Sequence, residues 1–183
     1  AAVTEVLSRM SQPLDYGSLS EAQRLTALAD LIADPECEIP ERDGLSPGTR
    51  EILAVFGVIA SLREEISPKV FGEYVVSMTH TASHVMEVMC LGRFAGLVGQ
   101  DNGEWFAHLS VSPLFETIED LSHVDDVLPR LLSNEVYQNL LKASGNLQEI
   151  MLGYSDSCKD GGIVASSWNL YEAQRKIDLE TFQ

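Results

Sequence analysis

Basic side chains are scarce in this chain: 12 lysines and arginines stand against 28 aspartates and glutamates, a formal charge of −16. Nucleic acids and anionic membrane surfaces are held by basic patches, so the charge balance argues against both as partners. Long apolar runs are missing too. The longest, Ile52–Ala60, falls far short of the ~20 residues that span a bilayer. No basic segment followed by an apolar core marks a signal peptide. Cysteine is rare, and Cys37, Cys90 and Cys158 are odd in number and widely separated, which predicts reduced thiols. No internal repeat, low-complexity tract or clear domain boundary interrupts the chain. These absences predict a cytoplasmic protein.

The chemistry that is present lies in a few short segments. Within Glu149–Gly162, the apolar run Ile150–Leu152 predicts a buried strand. A polar turn follows with Asp156, Lys159, Asp160 and paired glycines, and then a helical pattern over Ile163–Arg175. In parallel α/β proteins, ligands and catalytic groups collect in the loops that leave the C-terminal ends of strands. The segment His108–Thr117 has the same form: Leu109 and Val111 alternate, Pro113 ends the ladder and Glu116 follows. If both strands share one parallel sheet, Glu116 and Asp156 point into the same mouth. Such a pair suits a hard divalent cation, Mg²⁺ or Mn²⁺, that takes a few carboxylate oxygens and keeps positions for water and substrate. Spacing alone equally allows each acid to cap the helix after it.

Three strands, Tyr74–Met78, Leu109–Val111 and Glu149–Leu152, with helices over Ala82–Gly96 and Val124–Ala143, predict an α/β fold with helix predominating and strands paired in parallel. Residues 1–70 read as a mostly helical part and residues 71–183 as strand–helix units, together one partial domain. A closed eight-stranded barrel takes ~250 residues, so three strands leave it open, with bare sheet edges and apolar helix faces. Ser20 or Glu21 opens a helix with Leu25, Leu28, Leu31 and Ile32 at helical spacing. Asp34–Gly48, rich in proline and acid, reads as an exposed loop. Ser46-Pro47 starts a further helix whose apolar face carries Ile52, Phe56, Ile59, Leu62 and Ile66. His80 and His84 share a helical face with Glu87 one turn on, a zinc-like spacing, but no third ligand converges locally. Polar surface in a helix's first turn is the competing reading for both. His108 and His123 are isolated.

Three long motifs then carry a resemblance. Tyr74–His84, Pro113–Leu121 and Gly145–Gly162, continued by Ala165–Tyr171, resemble the central region of phosphoenolpyruvate carboxylase in order and approximate spacing. The likeness runs from about Asp15 to Arg175. It implies part of a TIM-type (β/α)8 barrel surrounded by extra α-helices. It also implies Mg²⁺- or Mn²⁺-dependent carboxylation of phosphoenolpyruvate by bicarbonate, giving oxaloacetate and phosphate, an anaplerotic step feeding the tricarboxylic acid cycle. In the family, bicarbonate attacks the phosphoryl group to form carboxyphosphate and the pyruvate enolate, which captures the released CO₂. The glutamate of the Leu-Phe-Glu-Thr motif and the first aspartate of Tyr-Ser-Asp-Ser are family metal ligands and fall on Glu116 and Asp156. Lys159 matches a lysine that helps to place bicarbonate or an anionic intermediate. Its alternative is a solvated lysine neutralising Asp156 and Asp160. Leu114 and Met151 match residues near the substrate's methylene end, and core packing is their alternative. Cys158 departs from the asparagine or alanine usual there and puts an oxidisable thiol beside the metal.

Other family parts have no match. The catalytic histidine of a Thr-Ala-His-Pro motif and the arginines of a Gly-Arg-Gly-Gly repeat are not in this chain, and Ile177–Gln183 only weakly resembles the expected continuation. The reading is therefore a piece of the enzyme, inactive alone, whose full-length relatives form homo-oligomeric tetramers; the first residue, not a methionine, fits a piece as well. Two other readings stay open: a small independent metal-dependent lyase using Glu116, Asp156 and Lys159, and a non-catalytic packing module derived from the carboxylase.

Overall fold

The computed structural model describes residues 1–180, so the last residues of the Ile177–Gln183 run, 181–183, lie outside the described part. Along the chain come α1 (Ala2–Leu7), a 3-10 turn (Tyr16–Ser18), α2 (Glu21–Ala33), α3 (Pro47–Glu65), β1 (Tyr74–Val76), α4 (Ala82–Phe94), β2 (Val98–Asp101) and β3 (Glu104–Ala107). They are followed by β4 (Val111–Phe115), α5 (Ile118–Ser122), α6 (Val124–Leu132), α7 (Glu135–Ala143), β5 (Met151–Leu152) and α8 (Tyr154–Glu180).

Parallel pairing organises these elements, as expected. β4 lies between β1 and β5, with Tyr74 opposite Val111 and Leu114 opposite Met151, all three strands running the same way. The architecture is α/β with helix predominating around a small parallel sheet. Buried apolar residues form one cluster that runs from Val3 and Val6 of α1, through Phe56, Met86, Phe115 and Leu131, to Leu170 and Ala173 of α8.

The strand bounds differ from the expected ones in an instructive way. β4 runs to Phe115 and includes Pro113, which was read as its terminator. The ladder to β5 begins only at the Leu114–Met151 pair, so the N–H that proline lacks is not needed there. Before that point a side chain replaces the neighbouring strand: Gln148 Nε2 donates to the Val111 carbonyl at 2.9 Å. A hairpin of β2 and β3, absent from the sequence reading, fills the chain between α4 and β4. Its turn residues Asn102 and Gly103 both take positive φ, 50° and 83°, the requirement of a two-residue hairpin turn.

The helices also need correction. The span Val124–Ala143 is two helices, because Asn134 Oδ1 accepts from Tyr137 N at 3.1 Å and starts α7 anew. The polar turn expected over residues 154–162 is already helical, and only Gly162, at φ 81° and ψ 163°, breaks α8 before its second part. Helix α2 starts as expected, with Ser20 and Gln23 forming a capping box. On α3 the buried face is Leu53, Phe56 and Ile59, whereas Ile52 (41 %) and Ile66 (66 %) are exposed. Asp34–Gly48 is exposed over most of its length but buries Cys37 and Leu45 in the core. No described helix is long and apolar enough to cross a membrane, and Cys37, Cys90 and Cys158 are free thiols.

Candidate active site at the strand ends

The C-terminal ends of β1, β4 and β5 open on the same side of the sheet, and each leads straight into site residues. Pleat alternation places Ser112, Leu114 and, just past the strand, Glu116 on one face of β4, with Val111, Pro113 and Phe115 on the other. Phe115 is fully buried in the core. The opposite face is open only in part: Val75, paired with Ser112, is 44 % exposed and Met151, paired with Leu114, is 39 % exposed, whereas Ser112 itself is buried. Leu114 and Met151 are thus cross-strand neighbours on the open face that leads to Glu116.

Glu116 is held by backbone from β1. Met78 N donates to its Oε1 at 3.0 Å. To present that amide, Met78 adopts φ 53°, a conformation a bulky residue rarely takes, and such strain gathers at functional sites. Glu116 does not cap α5; Thr117 does, through a capping box with Asp120. One of the two alternatives for this acid is therefore not realised.

Asp156 reaches the same place through a glycine. Gly153 N donates to the Phe115 carbonyl at 2.8 Å. A Cβ on Gly153 would lie 2.9 Å from Glu116 Cα, so only glycine lets the chain leaving β5 pass this close. Asp156 follows in the first turn of α8, where a carboxylate also favours the helix dipole. Its Oδ1 accepts from Lys159 Nζ at 3.0 Å, and Ser155 Oγ donates to Oδ2 at 3.3 Å. The hydrogen bond and charge of Lys159 hold the Asp156 carboxyl below its ordinary pKa. Asp160 is not part of this pair; its Oδ2 accepts from Ile118 N at 2.9 Å and ties α8 to α5. Cys158 is half-buried, its thiol 3.2 Å from Ser166 Oγ, and Ser166 also contacts Ser157 at 2.6 Å.

A pair that the sequence reading did not join sits beside Glu116. His80 Nδ1 lies 2.5 Å from Oδ1 of Asp120, a residue only 3 % exposed. Asp120 Oδ2 accepts from Thr117 N at 3.1 Å. Burial opposes ionisation of Asp120, but the bonds from His80 and Thr117 outweigh it and hold the pKa below the ordinary value. The Thr117-x-x-Asp120 capping signature was legible in the sequence; its partner 40 residues upstream was not. His80 N also donates to His84 Nδ1 at 3.4 Å. Glu87, the third member of the zinc-like spacing, accepts instead from Tyr16 OH at 2.7 Å. Among the described residues, no group of three or more His, Cys, Asp or Glu side chains is placed to hold a metal ion.

Comparison with known proteins bears on this arrangement. The phosphoenolpyruvate carboxylase family profile matches residues 1–181. The chain is 41 % identical over 177 residues to phosphoenolpyruvate carboxylase of Roseiflexus castenholzii, covering 97 % of this chain and 19 % of that protein. It is 39 % identical over 184 residues to the enzyme of Parasynechococcus marenigrum, 98 % of this chain and 18 % of that protein. To the Rhodothermus marinus enzyme it is also 39 % identical over 184 residues, 97 % and 20 % of the two chains. The chain thus spans about a fifth of the length of the curated relatives it matches. With a match over nearly every residue, the chain belongs to the phosphoenolpyruvate carboxylase family.

Proposed function

We propose that these strand ends form part of the active site of a phosphoenolpyruvate carboxylase that uses bicarbonate and Mg²⁺ or Mn²⁺ to make oxaloacetate and phosphate. The observation that carries the reading is the contact through Gly153, which presses the segment leading to Asp156 against Glu116 at one end of a parallel sheet. Glu116 and Asp156 hold the cation. Their donor set fits it: carboxylate oxygens only, from two acidic residues, with Met78 N on one oxygen of Glu116 and Lys159 and Ser155 each on one oxygen of Asp156, both exposed contacts that a cation can displace. When bound, a divalent cation supplies Lewis-acid polarisation and neutralises charge that develops on oxygen.

The chain's own residues do the rest of the positioning. Lys159, at the start of α8, faces the anionic substrate once its hold on Asp156 is released. Leu114 and Met151 form the apolar wall against which the methylene carbon of phosphoenolpyruvate rests. The three strands are neighbours in a (β/α)8 barrel, and the partly open face of Val75, Leu114 and Met151 is its interior. Lacking the family's histidine and arginine motifs, residues 1–183 do not turn over alone. In the intact cytoplasmic enzyme, a homo-oligomer, they supply the metal site.

The test is carboxylase turnover with phosphoenolpyruvate, bicarbonate and Mg²⁺, run on the 183-residue chain and on any longer polypeptide that contains it, together with Mn²⁺ binding by electron paramagnetic resonance. Oxaloacetate from the longer polypeptide, abolished by Glu116→Gln, is the expected result. Turnover by the 183-residue chain alone would overturn the account of the absent motifs, and Mn²⁺ binding unchanged in Glu116→Gln and Asp156→Asn would overturn the metal site.

A further inference from the structure

The pair of His80 and Asp120 has no part in the reading above, yet it stands beside Glu116. Met78 N holds the Glu116 carboxylate, and Thr79 N still bonds the Leu114 carbonyl at 3.2 Å. His80 is the next residue, where the chain parts from β4 on the β1 side of the mouth. We infer that His80 is an oxyanion-contacting residue of this mouth, fixed by Asp120 so that its Nε2 meets the anionic substrate. The identity of that anion rests on the proposed carboxylase reading; the contact itself does not.

The argument runs from the buried partner outward. Asp120 is almost wholly enclosed, and a buried carboxylate that loses a partner is costly, so its two oxygens are both engaged, by His80 Nδ1 and by Thr117 N. An ionised Asp120 accepts hydrogen bonds only, which puts the proton of that bond on Nδ1. The nitrogen left to respond to a ligand is Nε2. It makes no hydrogen bond among the described residues, and the His80 side chain is 47 % exposed where that of Asp120 is 2 %. A carboxylate behind an imidazole fixes the ring's orientation and tautomer, which leaves the outer nitrogen aimed away from Asp120 and open to an oxyanion ligand.

The charge of the mouth makes such a contact useful. Glu116, Asp156 and Asp160 are acidic, and Lys159 on the β5 side is paired with Asp156. His80 supplies a hydrogen-bonding nitrogen on the β1 side, across the sheet from Lys159. Helix α4 keeps it there: Glu21 of α2 accepts from Ser83 N at 2.8 Å and from Ser83 Oγ at 2.7 Å, pinning the start of the helix that follows His80.

The test is a titration of the intact polypeptide carrying these residues, following imidazole resonances by NMR, in separate arms with inorganic phosphate and with bicarbonate. Mn²⁺ binding is measured on the same preparations. The expected result is a saturable shift at His80 Nε2 with at least one anion and smaller shifts at His84, His108 and His123. His80→Gln weakens that anion by about tenfold, the loss of one charge-assisted hydrogen bond. His80→Arg, which supplies a cationic donor, recovers binding to within about threefold, a recovery that a purely structural role does not predict. An unmoved His80 Nε2 in both arms, or anion binding unaltered in His80→Gln, overturns the inference. Mn²⁺ bound through Glu116 and Asp156 without an anion shift at His80 sinks this inference alone; an anion shift at His80 without Mn²⁺ binding sinks the metal site alone.

Discussion

Helices α4 and α8 occupy equivalent places, each following a parallel strand and each starting beside the mouth, but they are packed in opposite ways. Nine of the thirteen residues of α4 are buried, and its first turn is pinned by Glu21. On α8, Ile163 (73 %), Val164 (81 %), Trp168 (62 %) and Tyr171 (57 %) are exposed, and an open pocket of about 440 Å³ lies over these four side chains. Lys176, bonded to the Ser122 carbonyl at 2.7 Å and to Asp125 at 3.0 Å, anchors its second part. One unit is finished within the chain, and the other presents an apolar face with nothing described against it. The lesson is that the two sides of the mouth are held differently: the Glu116 side is fixed by backbone following β1, whereas the Asp156 side depends on the close approach of Gly153 and on a helix bonded to α5 and covered on one side only.

The largest expected effect tests that difference in packing. Met86→Ala removes a fully buried side chain from α4 and is expected to cost about 2–5 kcal/mol of stability. Trp168→Ala, truncating a larger but exposed side chain, is expected to stay within about 0.5 kcal/mol. Both are read from urea denaturation midpoints at constant m. A Trp168→Ala cost equal to that of Met86→Ala would mean that the α8 face is covered in solution, and the comparison would fail.

Next in size are the carboxylates. Glu116→Gln or Asp156→Asn is expected to weaken Mn²⁺ binding by about two orders of magnitude, because a hard cation loses one of very few anionic oxygens. The fold should survive both, since Glu116 is bonded by one backbone amide and Asp156 by an exposed lysine and serine. Calorimetric titration with Mn²⁺ checks the first expectation and circular dichroism the second. Gly153→Ala should follow, at about 1–3 kcal/mol of stability, because the added methyl group meets Glu116 Cα and the two backbones must part. It should also weaken Mn²⁺ more than its stability loss explains, since it separates the two ligands.

How far the sequence foretold these features depends on the range of the interaction. Caps and periodicity are local, so the starts of α2 and α3 at Ser20 and Ser46 and the helical span of α4 were legible. The strand ends carrying Glu116 and Asp156 were legible because charge and glycine directly follow an apolar run. The start of α8 was not, because glycine and aspartate have low helix propensity and tertiary contacts such as Asp160 with Ile118 N override it. On α3 the apolar residues cover more than half the circumference, so periodicity could not decide between Ile52 and Leu53 as the inward residue. The hairpin at Asn102-Gly103 carries a plain local turn signal, but strands of four residues each are too short to stand out by alternation. The bond between His80 and Asp120 left no local trace, since neither residue's neighbours in sequence report a partner 40 positions away.

The smallest expected effect separates the two sides of the mouth by charge. Asp156 titrates below its ordinary value because Lys159 donates to it and opposes its charge. A carboxyl with a depressed folded pKa stays ionised, and its pairing persists, above the ordinary value of 3.8; that contribution is lost as pH falls through the lower folded value. Lys159→Gln removes the cause, so Asp156 should protonate at a higher pH and the acid limb of Mn²⁺ binding should move upward. At neutral pH the same variant should bind Mn²⁺ slightly more tightly, because a competing cation has left the carboxylate. Asp120 should not follow, since its own depression comes from His80 and Thr117 rather than from Lys159. An NMR titration of the side-chain carboxyl carbons therefore has a clear expected pattern: Asp156 moves and Asp120 stays. If both move together, the two sides of the mouth are electrostatically one site, and the contrast in how the two halves are held does not extend to their charges.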